Sequence, residues 1–264
     1  MAFSGNTIIF DGISSERFGL MLVGKIDSTE QESGALGTRI SVINDMILRR
    51  PSPIYYTAKQ GPPLEFKLIL SVMVENQFLS RHDLAAIAGW LYGHSAYKEL
   101  SICQADLTDY FYRCKIIELE PVFVAGKTVG VSASILCDAP YAYLRAANSV
   151  VMSFVETEYT YHNRSNTNGY YYPQITICAT GETPEIQILN LTTGESLALN
   201  NIPQSGATIS IDCMRQILTS DEIPNVYDYC NFNFPAFIKG SNRLKLTGSF
   251  RMDIVNEFPM YIGA

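Results

Sequence analysis

The amino-acid sequence predicts a mainly β protein with one α-helix in its N-terminal half. Short apolar runs with a period of two recur along most of the chain, and turn-forming residues separate them. Only one segment repeats its apolar residues with the period of a helix. The chain has 264 residues, of which 47% are hydrophobic, so it can bury a core without disulfides or metal ions. We place a domain boundary near residue 140, between an N-terminal domain (1–140) and a C-terminal domain (141–264).

The N-terminal domain opens with two strand candidates, NTIIFDG and FGLMLVG, and the first of them ends in the turn signal Asp-Gly. Residues 27–38 are polar and contain glycine, which predicts a loop. Prolines frame residues 51–63, which predicts irregular structure. Residues 64–74 alternate in part between apolar and polar positions, and this pattern predicts a buried strand.

One segment, SRHDLAAIAGWLYG, has the signature of an α-helix. Ser80 is the expected N-cap, and Asp83 stands where a capping box needs an acceptor side chain. Gly93 is the expected stop, and Trp90, the single tryptophan, is expected to be a packing anchor rather than a ligand platform. The helical spacing places four apolar residues on one buried stripe: Leu84, Ile87, Ala88 and Leu91.

A long β-hairpin is predicted after the helix. Its strands are YFYRCKIIELEPVFV and TVGVSASILC, and residues 125–127 connect them with Gly126 in the loop. Glu118 and Glu120 lie two residues apart, so both should face the solvated side of their strand rather than form a hydrolytic pair.

Seven short strand candidates follow, with turns about every 10 residues, a spacing typical of a β-sandwich. Near the C-terminus lies the stretch NFPAFIKGSNRLKLTG. We expect Phe234 and Phe237 to be structural anchors that close the end of the sandwich, with Leu244 and Leu246 facing the core. The seven candidates are SVVMSFV, QITICAT, EIQILN, SLALN, ATISIDC, RLKLTG and RMDIVNE.

Residues 158–173, EYTYHNRSNTNGYYYP, form the candidate interaction loop. Tyrosine combines apolar area with a hydrogen-bonding tip and is enriched at protein interfaces. Three interpretations stay open: contact with another protein, contact with a glycan, and packing of a hairpin on the sandwich surface. The candidate contact residues are Tyr159, Tyr161, Tyr170, Tyr171 and Tyr172.

Composition and motifs exclude several classes of function. The net charge is −7, whereas nucleic-acid-binding proteins usually show a basic face, so we expect no sequence-specific nucleic-acid binding. The sequence has no apolar run of membrane-spanning length and no secretory signal, so we expect no membrane insertion. It lacks the common catalytic motifs, and its six cysteines are widely spaced, as expected of reduced thiols rather than a zinc site. We therefore expect no enzyme activity, no cofactor and no metal.

In their order along the chain, these features resemble the distal tail protein family of siphophages, which are phages with long, non-contractile tails. IIFDGISSERFGLML is similar to the family's opening, and LAAIAGWLYGHSAYKEL with DYFYRCKI is similar to its helix and the strands that follow. SASILCDAPYAY is similar to the segment that closes its first domain. YYPQITI, ISIDC and FPAFIKGSNRLKLTG match landmarks of its second domain. The resemblance covers nearly the whole chain.

The resemblance implies a structural hub of a phage or prophage tail tip. Six copies would form a ring through their tail-tube-like N-terminal domains, and the C-terminal domain would be a galectin-like β-sandwich. An acidic balance suits a channel through which DNA must slide, because cationic walls would retain phosphates. The implied location is the tail tip of the virion, after synthesis in the bacterial host cytoplasm.

The partners implied by the resemblance are components of the same tail. They are other copies of the chain in a homohexamer, the tail tube protein, the tape-measure protein, the tail-tip protein (a tail-associated lysin or fibre) and a receptor-binding protein. The alternative function is a carbohydrate-binding module that recognises a host surface glycan, suggested by the sandwich and the tyrosine-rich segment. A chain of this length leaves no room for an inserted glycan-binding module, so we expect a minimal hub.

Overall fold

The computed structural model describes residues 7–23, 41–46, 52, 54–59, 61–74, 77–180, 185–202 and 206–262. These residues form two compact units. The first unit extends to Tyr143 and also includes Tyr261 and Ile262, and the second unit is Leu144–Met260. Antiparallel strands dominate both units. The prediction of a mainly β protein is confirmed.

The first unit contains one main sheet with the strand order β3-β6-β9-β8-β7-β1-β2, and a separate pair, β4-β5. Ile54–Lys59 is a strand although it lies in the stretch expected to be irregular, because its β-branched and aromatic residues find a partner in β4. The loop expected at 27–38 lies outside the described residues. The elements are β1 (Ile8–Phe10), β2 (Ile13–Ser14), a 3-10 helix (Ser15–Phe18), β3 (Leu20–Val23), β4 (Ser41–Asp45), β5 (Ile54–Lys59), β6 (Glu65–Val72), α1 (Arg81–Leu91), β7 (Lys98–Ile102), β8 (Tyr110–Val124) and β9 (Lys127–Cys137).

The predicted helix and its cap are confirmed. The Ser80 side chain accepts a hydrogen bond from the Asp83 backbone N–H, and the Asp83 carboxylate accepts one from the Ser80 N–H at 2.8 Å. The helix ends at Leu91, two residues before Gly93. Its buried side carries Trp90, whose Nε1 donates to the Phe10 carbonyl oxygen at 3.1 Å. The indole also stacks on Phe18 with ring centroids 4.7 Å apart, so it joins the helix to the start of the chain.

The second unit is a β-sandwich of two sheets, β16-β15-β12-β18-β10 and β11-β17-β13-β14. The Tyr161 hydroxyl on β11 donates to Asn256 Oδ1 on β18 at 2.8 Å, which ties the two sheets together. The strands are β10 (Ala142–Ser153, in this unit from Leu144), β11 (Glu156–Asn163), β12 (Gln174–Ala179), β13 (Glu185–Asn190), β14 (Ser196–Asn200), β15 (Thr208–Asp212), β16 (Ile217–Thr219), β17 (Gly240–Thr247) and β18 (Phe250–Met260), with a 3-10 helix at Val226–Tyr229.

All seven strands expected in this part of the chain are present, and the described residues add β11 and β16 to them. β11 lies in the tyrosine-rich segment, where alternating Glu, Thr and His on its outer side weakened the apolar signal. β16 has three residues, too few to show a period. β11 and β16 are each an edge strand in the order of the described strands, and edge strands need less apolar sequence than central ones.

Candidate interaction surfaces

One face of the first unit's sheet is polar, whereas the opposite face packs into the apolar core. We call the polar face the outer face. The core side of the same strands includes Leu68, Ala133 and Ile135, all buried. The outer face consists of three cross-strand rows over β6, β9 and β8: Lys67–Ser134–Glu118, Ile69–Ser132–Glu120 and Ser71–Gly130–Val122.

A β-bulge in β8 decides which side chains reach the outer face. The register shifts between Ile116 and Glu118, so Ile117 is the extra residue. Because side chains alternate between faces, the shift turns Glu118 and Glu120 outward, where Ile117 and Leu119 would otherwise stand. The two carboxylates are therefore on the same, solvated side, as the sequence predicts.

The carboxylates of the outer face share one cation. Lys67 Nζ lies 3.6 Å from Glu118 Oε2 and 3.7 Å from Glu120 Oε2, and the Ser134 hydroxyl donates to Glu118 at 2.9 Å. All three charged side chains are more than half exposed, so each ion pair contributes less than about 1 kcal/mol to folding. The ion pairs therefore add little stability, but they place two carboxylates around one ammonium group on the outer face.

The end of the β8–β9 hairpin exposes apolar side chains. Phe123 is 61% exposed and Val124 is 54% exposed. Lys127 Nζ lies 4.0 Å from the ring centroid of Phe78, in a chain segment bonded to this hairpin through Leu79 N and Thr128 O. We call Phe78, Phe123, Val124 and Lys127 the hairpin tip. Exposed apolar groups that cluster in this way often mark contacts with another protein.

The tyrosine-rich segment is not one loop, which corrects the expectation for residues 158–173. Glu156–Asn163 is strand β11, where Tyr159 is half-buried and Tyr161 points into the sandwich. Tyr171 is also buried, whereas Tyr170 and Tyr172 are 57% and 39% exposed. The two exposed rings lie 6.4 Å apart and are tilted by 55°. Among the five tyrosines of residues 158–173, Tyr170 and Tyr172 present the largest exposed aromatic surface.

Tyr161 and Tyr171 have structural contacts instead of free hydroxyls. The Tyr171 hydroxyl donates to the Val255 carbonyl oxygen at 2.8 Å and accepts from the Glu257 N–H at 3.2 Å. Burial raises the pKa of Tyr171 to about 12, and burial also raises the pKa of Tyr161. Both phenols therefore stay protonated and bonded inside the unit, and neither can contact a partner as folded.

Three buried asparagines fix the segment 236–240, a feature that the sequence did not predict. Asn242 Nδ2 donates to the Ile238 carbonyl oxygen at 2.8 Å, and its Oδ1 accepts from the Ile238 N–H at 3.0 Å. Asn190 Nδ2 donates to the Ala236 carbonyl oxygen at 3.1 Å and to Asn242 Oδ1 at 3.2 Å. Asn163 Nδ2 donates to the Ile238 carbonyl oxygen at 3.1 Å. We call these three residues the asparagine network.

The two predicted phenylalanine anchors lie in or next to this segment. Phe237 is fully buried, and its ring centroid is 4.6 Å from that of Tyr161. Phe234 is 7% exposed. The backbone of Phe237 also exchanges two hydrogen bonds with Tyr171, at 2.8 and 2.9 Å. The segment is therefore held by side-chain amides, backbone bonds and apolar contact together.

A half-buried carboxyl group, that of Asp138, follows the end of β9 in the first unit. Asp138 Oδ2 accepts a hydrogen bond from the Tyr143 hydroxyl at 2.9 Å, and the Arg113 guanidinium lies 4.5 Å from the Tyr143 ring centroid. Asp138 Oδ1 has no hydrogen-bond partner among the described residues. Burial raises the pKa of the Asp138 carboxyl, although Tyr143 and Arg113 act in the opposite direction.

Replacing Asp138 with asparagine should stabilise the protein at neutral pH. A carboxyl whose pKa is raised on folding binds its proton more tightly in the folded state. Its contribution to folding stability is therefore fully present below the unfolded pKa and is lost as the pH rises through the folded pKa. Asparagine has no charge to bury and can still accept from Tyr143. Urea unfolding from pH 4 to 8 should show the variant's advantage growing with pH. A variant that is less stable than the wild type at pH 7 would contradict this.

The part of the chain that the structure describes offers neither a metal-binding cluster nor a membrane-spanning helix. It contains no group of three or more His, Cys, Asp or Glu side chains that could hold a metal ion. No helix in this part is long and apolar enough to cross a membrane.

Comparison with known proteins finds similarity to phage tail proteins. A family model for a phage tail protein N-terminal domain matches residues 3–139, and a model for a phage tail C-terminal domain matches residues 141–256. Among solved structures, the chain is similar to SPP1 Dit (gp 19.1), described as a paradigm of the hub adsorption apparatus in phages that infect Gram-positive bacteria. No curated protein matches the chain.

The likeness to SPP1 Dit extends over both proteins. It has a TM-score of 0.68 and covers 96% of this chain and 98% of that one, at 12% sequence identity. At that identity the likeness shows the fold. The two family models also assign the chain to a family, because together they match most of the sequence. The chain belongs to the phage tail protein family.

Proposed function

We propose that the protein is the distal hub of a siphophage tail: a hexameric ring that joins the tail tube to the tail-tip apparatus and lets DNA pass. The observation that carries this proposal is the likeness to SPP1 Dit over 96% of the chain, in a protein of the phage tail family. The role is structural rather than enzymatic. Its partners are the tail tube, tape-measure and tail-tip proteins, and a receptor-binding protein that docks on the ring.

We infer that residues 1–140 make the ring and that residues 141–264 form an outer, galectin-like domain. A closed ring of identical copies needs two different surfaces on each copy that fit one another. The hairpin tip offers exposed apolar area for one of them. The outer face supports a channel lining, because its carboxylates exceed its cations in the three rows and would not retain DNA phosphates.

Phe123→Asp tests whether the hairpin tip is part of the ring contact. Phe123 is mostly exposed, so the change should leave folding stability within about 0.5 kcal/mol. A carboxylate buried in an apolar contact should weaken assembly by at least about tenfold. Light scattering with size-exclusion chromatography, in the presence of the tail-tip protein, measures the assembled fraction.

Phe154→Asp is the matched control, because Phe154 is a 69% exposed phenylalanine of the second unit. It should leave the ring intact. Loss of the ring in the Phe154 variant but not in the Phe123 variant would contradict the assignment of the contact to residues 1–140. A wild-type chain that stays monomeric with the tail-tip protein, with no ring in negative-stain images, would contradict the hub itself.

A second candidate function is glycan recognition by the second unit. The observation that favours it is the exposed pair Tyr170 and Tyr172, since aromatic rings can stack on the apolar face of a sugar. A host cell-wall glycan array with the full chain tests it, with Tyr170→Ala and Tyr172→Ala as the comparison. Binding that both changes abolish would favour this function. If the wild type bound no glycan, the structural hub would be the one remaining proposed function.

A further inference from the structure

Two cysteines of the first unit face one another across adjacent strands. Cys114 on β8 is the direct partner of Cys137 on β9 in the antiparallel register. Both side chains are fully buried and belong to the same apolar core. Direct partners in a ladder point to the same face of the sheet, so the two thiols are neighbours inside the core.

The hydrogen bonds around the pair identify its type. The Cys137 N–H donates to the Leu64 carbonyl oxygen on the other side of β9, and the Asp138 N–H donates to the Arg113 carbonyl oxygen on β8. Cys114 and Cys137 therefore form a non-hydrogen-bonded pair, in which Cα atoms lie about 4.5 Å apart. Disulfides span Cα separations of about 4.4 to 6.8 Å, so the backbone already permits a bond.

We propose that Cys114 and Cys137 form a latent cross-strand disulfide that closes when the folded protein meets a peroxide. The thiolate of one cysteine attacks a peroxide oxygen, which breaks the O–O bond and gives a sulfenic acid and hydroxide. The thiolate of the other then attacks that sulfur, forms the S–S bond and releases a second hydroxide. Overall, two thiols and hydrogen peroxide give one disulfide and two waters, and the two sulfur atoms together lose two electrons to the peroxide.

The surroundings make the pair slow to react at neutral pH. Burial raises the pKa of Cys114 to about 12, and burial also raises the pKa of Cys137. Only the thiolate is nucleophilic, so at pH values below this pKa the rate of bond formation should rise about tenfold for each unit by which the pH is raised. The inference concerns the chain's own thiols and does not depend on the proposed hub function.

The experiment uses the full chain with Cys103→Ser, because the exposed Cys103 could link two molecules. The folded protein is treated with hydrogen peroxide at pH 7, 8 and 9, unfolded, alkylated and digested with trypsin without reductant. We expect the Cys114–Lys115 fragment joined to the peptide Thr128–Arg145, which contains Cys137, about 2 Da below the summed mass of the two thiol peptides. The oxidised protein should melt roughly 5 °C or more above the reduced one.

Matched variants separate this pair from the other thiols. Cys114→Ser and Cys114→Ala should both abolish the link, whereas Cys213→Ser, which changes a buried thiol of the second unit, should keep it. Alkylation of both Cys114 and Cys137 after peroxide treatment would overturn the proposal. Conversion of Cys114 to the sulfinic acid without a link to Cys137 would overturn it as well.

Discussion

Gly130→Ala is expected to destabilise the first unit by about 3 kcal/mol, because the added methyl group collides with backbone atoms. A Cβ at this position would collide with the Leu70 carbonyl oxygen and would lie 2.9 Å from the Ser71 Cα. Neither atom belongs to a flexible side chain, so β6 and β9 would have to move apart. The measurement is the urea midpoint of unfolding, converted with the slope of the transition.

The close approach at Gly130 has a local cause. Val122 is paired with Gly130 and Phe123 with Thr128, so Val129 is an extra residue in β9 beside the glycine. Such a bulge brings neighbouring backbones together and is a common place for glycine in a strand. The same position belongs to the outer face, on its central strand β9, so the variant should also lose any ring that depends on this sheet.

Gly89→Ala is the matched control for Gly130→Ala. Gly89 lies in α1, is exposed, and has no atom within 4 Å of an added Cβ. Alanine there should stabilise the helix by up to about 1 kcal/mol. If Gly130→Ala had no larger effect on the urea midpoint than Gly89→Ala, the backbone contact between β6 and β9 would not be as close as described.

Asn242→Ala should destabilise the second unit by about 3 kcal/mol, since it removes the hydrogen bonds of a fully buried amide and leaves the Ile238 N–H without its acceptor. The Asn242 side chain is fully buried and bonds to the N–H and carbonyl oxygen of Ile238, the Gly240 carbonyl oxygen and the Asn190 amide. Alanine replaces none of these bonds. Urea unfolding measures the loss, and hydrogen exchange should show early opening at Ile238, whose N–H loses its acceptor.

Asn233→Ala is the control, because Asn233 is exposed in the same stretch of sequence. Its change should shift stability by no more than about 0.5 kcal/mol. Asn242→Asp is a second test, because it keeps the size but places an acceptor against the Ile238 and Gly240 carbonyl oxygens. It should be at least as destabilising as alanine. A neutral effect of both changes at Asn242 would mean that the asparagine network does not hold the segment.

The sequence could predict most of the elements because their signals are local. The helix follows from the Ser80–Asp83 capping box and an apolar stripe, and the β8–β9 hairpin from two alternating runs around Gly126. Each depends on residues that are close along the chain. The fold class and the long strands of both units were therefore predictable without tertiary information, as was the family resemblance, which depends on motif order.

The candidate surfaces needed the tertiary structure because alternation alone does not say which face is buried or where the register shifts. Tyr161 and Tyr171 resembled interface residues in the sequence, but the opposite sheet and the segment at Phe237 bury them. Asn242 shares its face of β17 with Leu244 and Leu246, and this was the one local sign that a polar residue would be buried. Its partners Ile238 and Gly240 are near it in the chain, but the third partner, Asn190, comes from β13.

The sequence by itself determined a mainly β chain, one capped helix and membership of a phage tail family, because periodicity, capping and motif order are properties of neighbouring residues. Only the tertiary structure decided that Ile117 forms a bulge, that Gly130 closely approaches the backbone of β6, and that Cys114 faces Cys137. Each of these depends on the register between strands. Register is set by packing the apolar faces of separate segments against one another, so no single segment contains it.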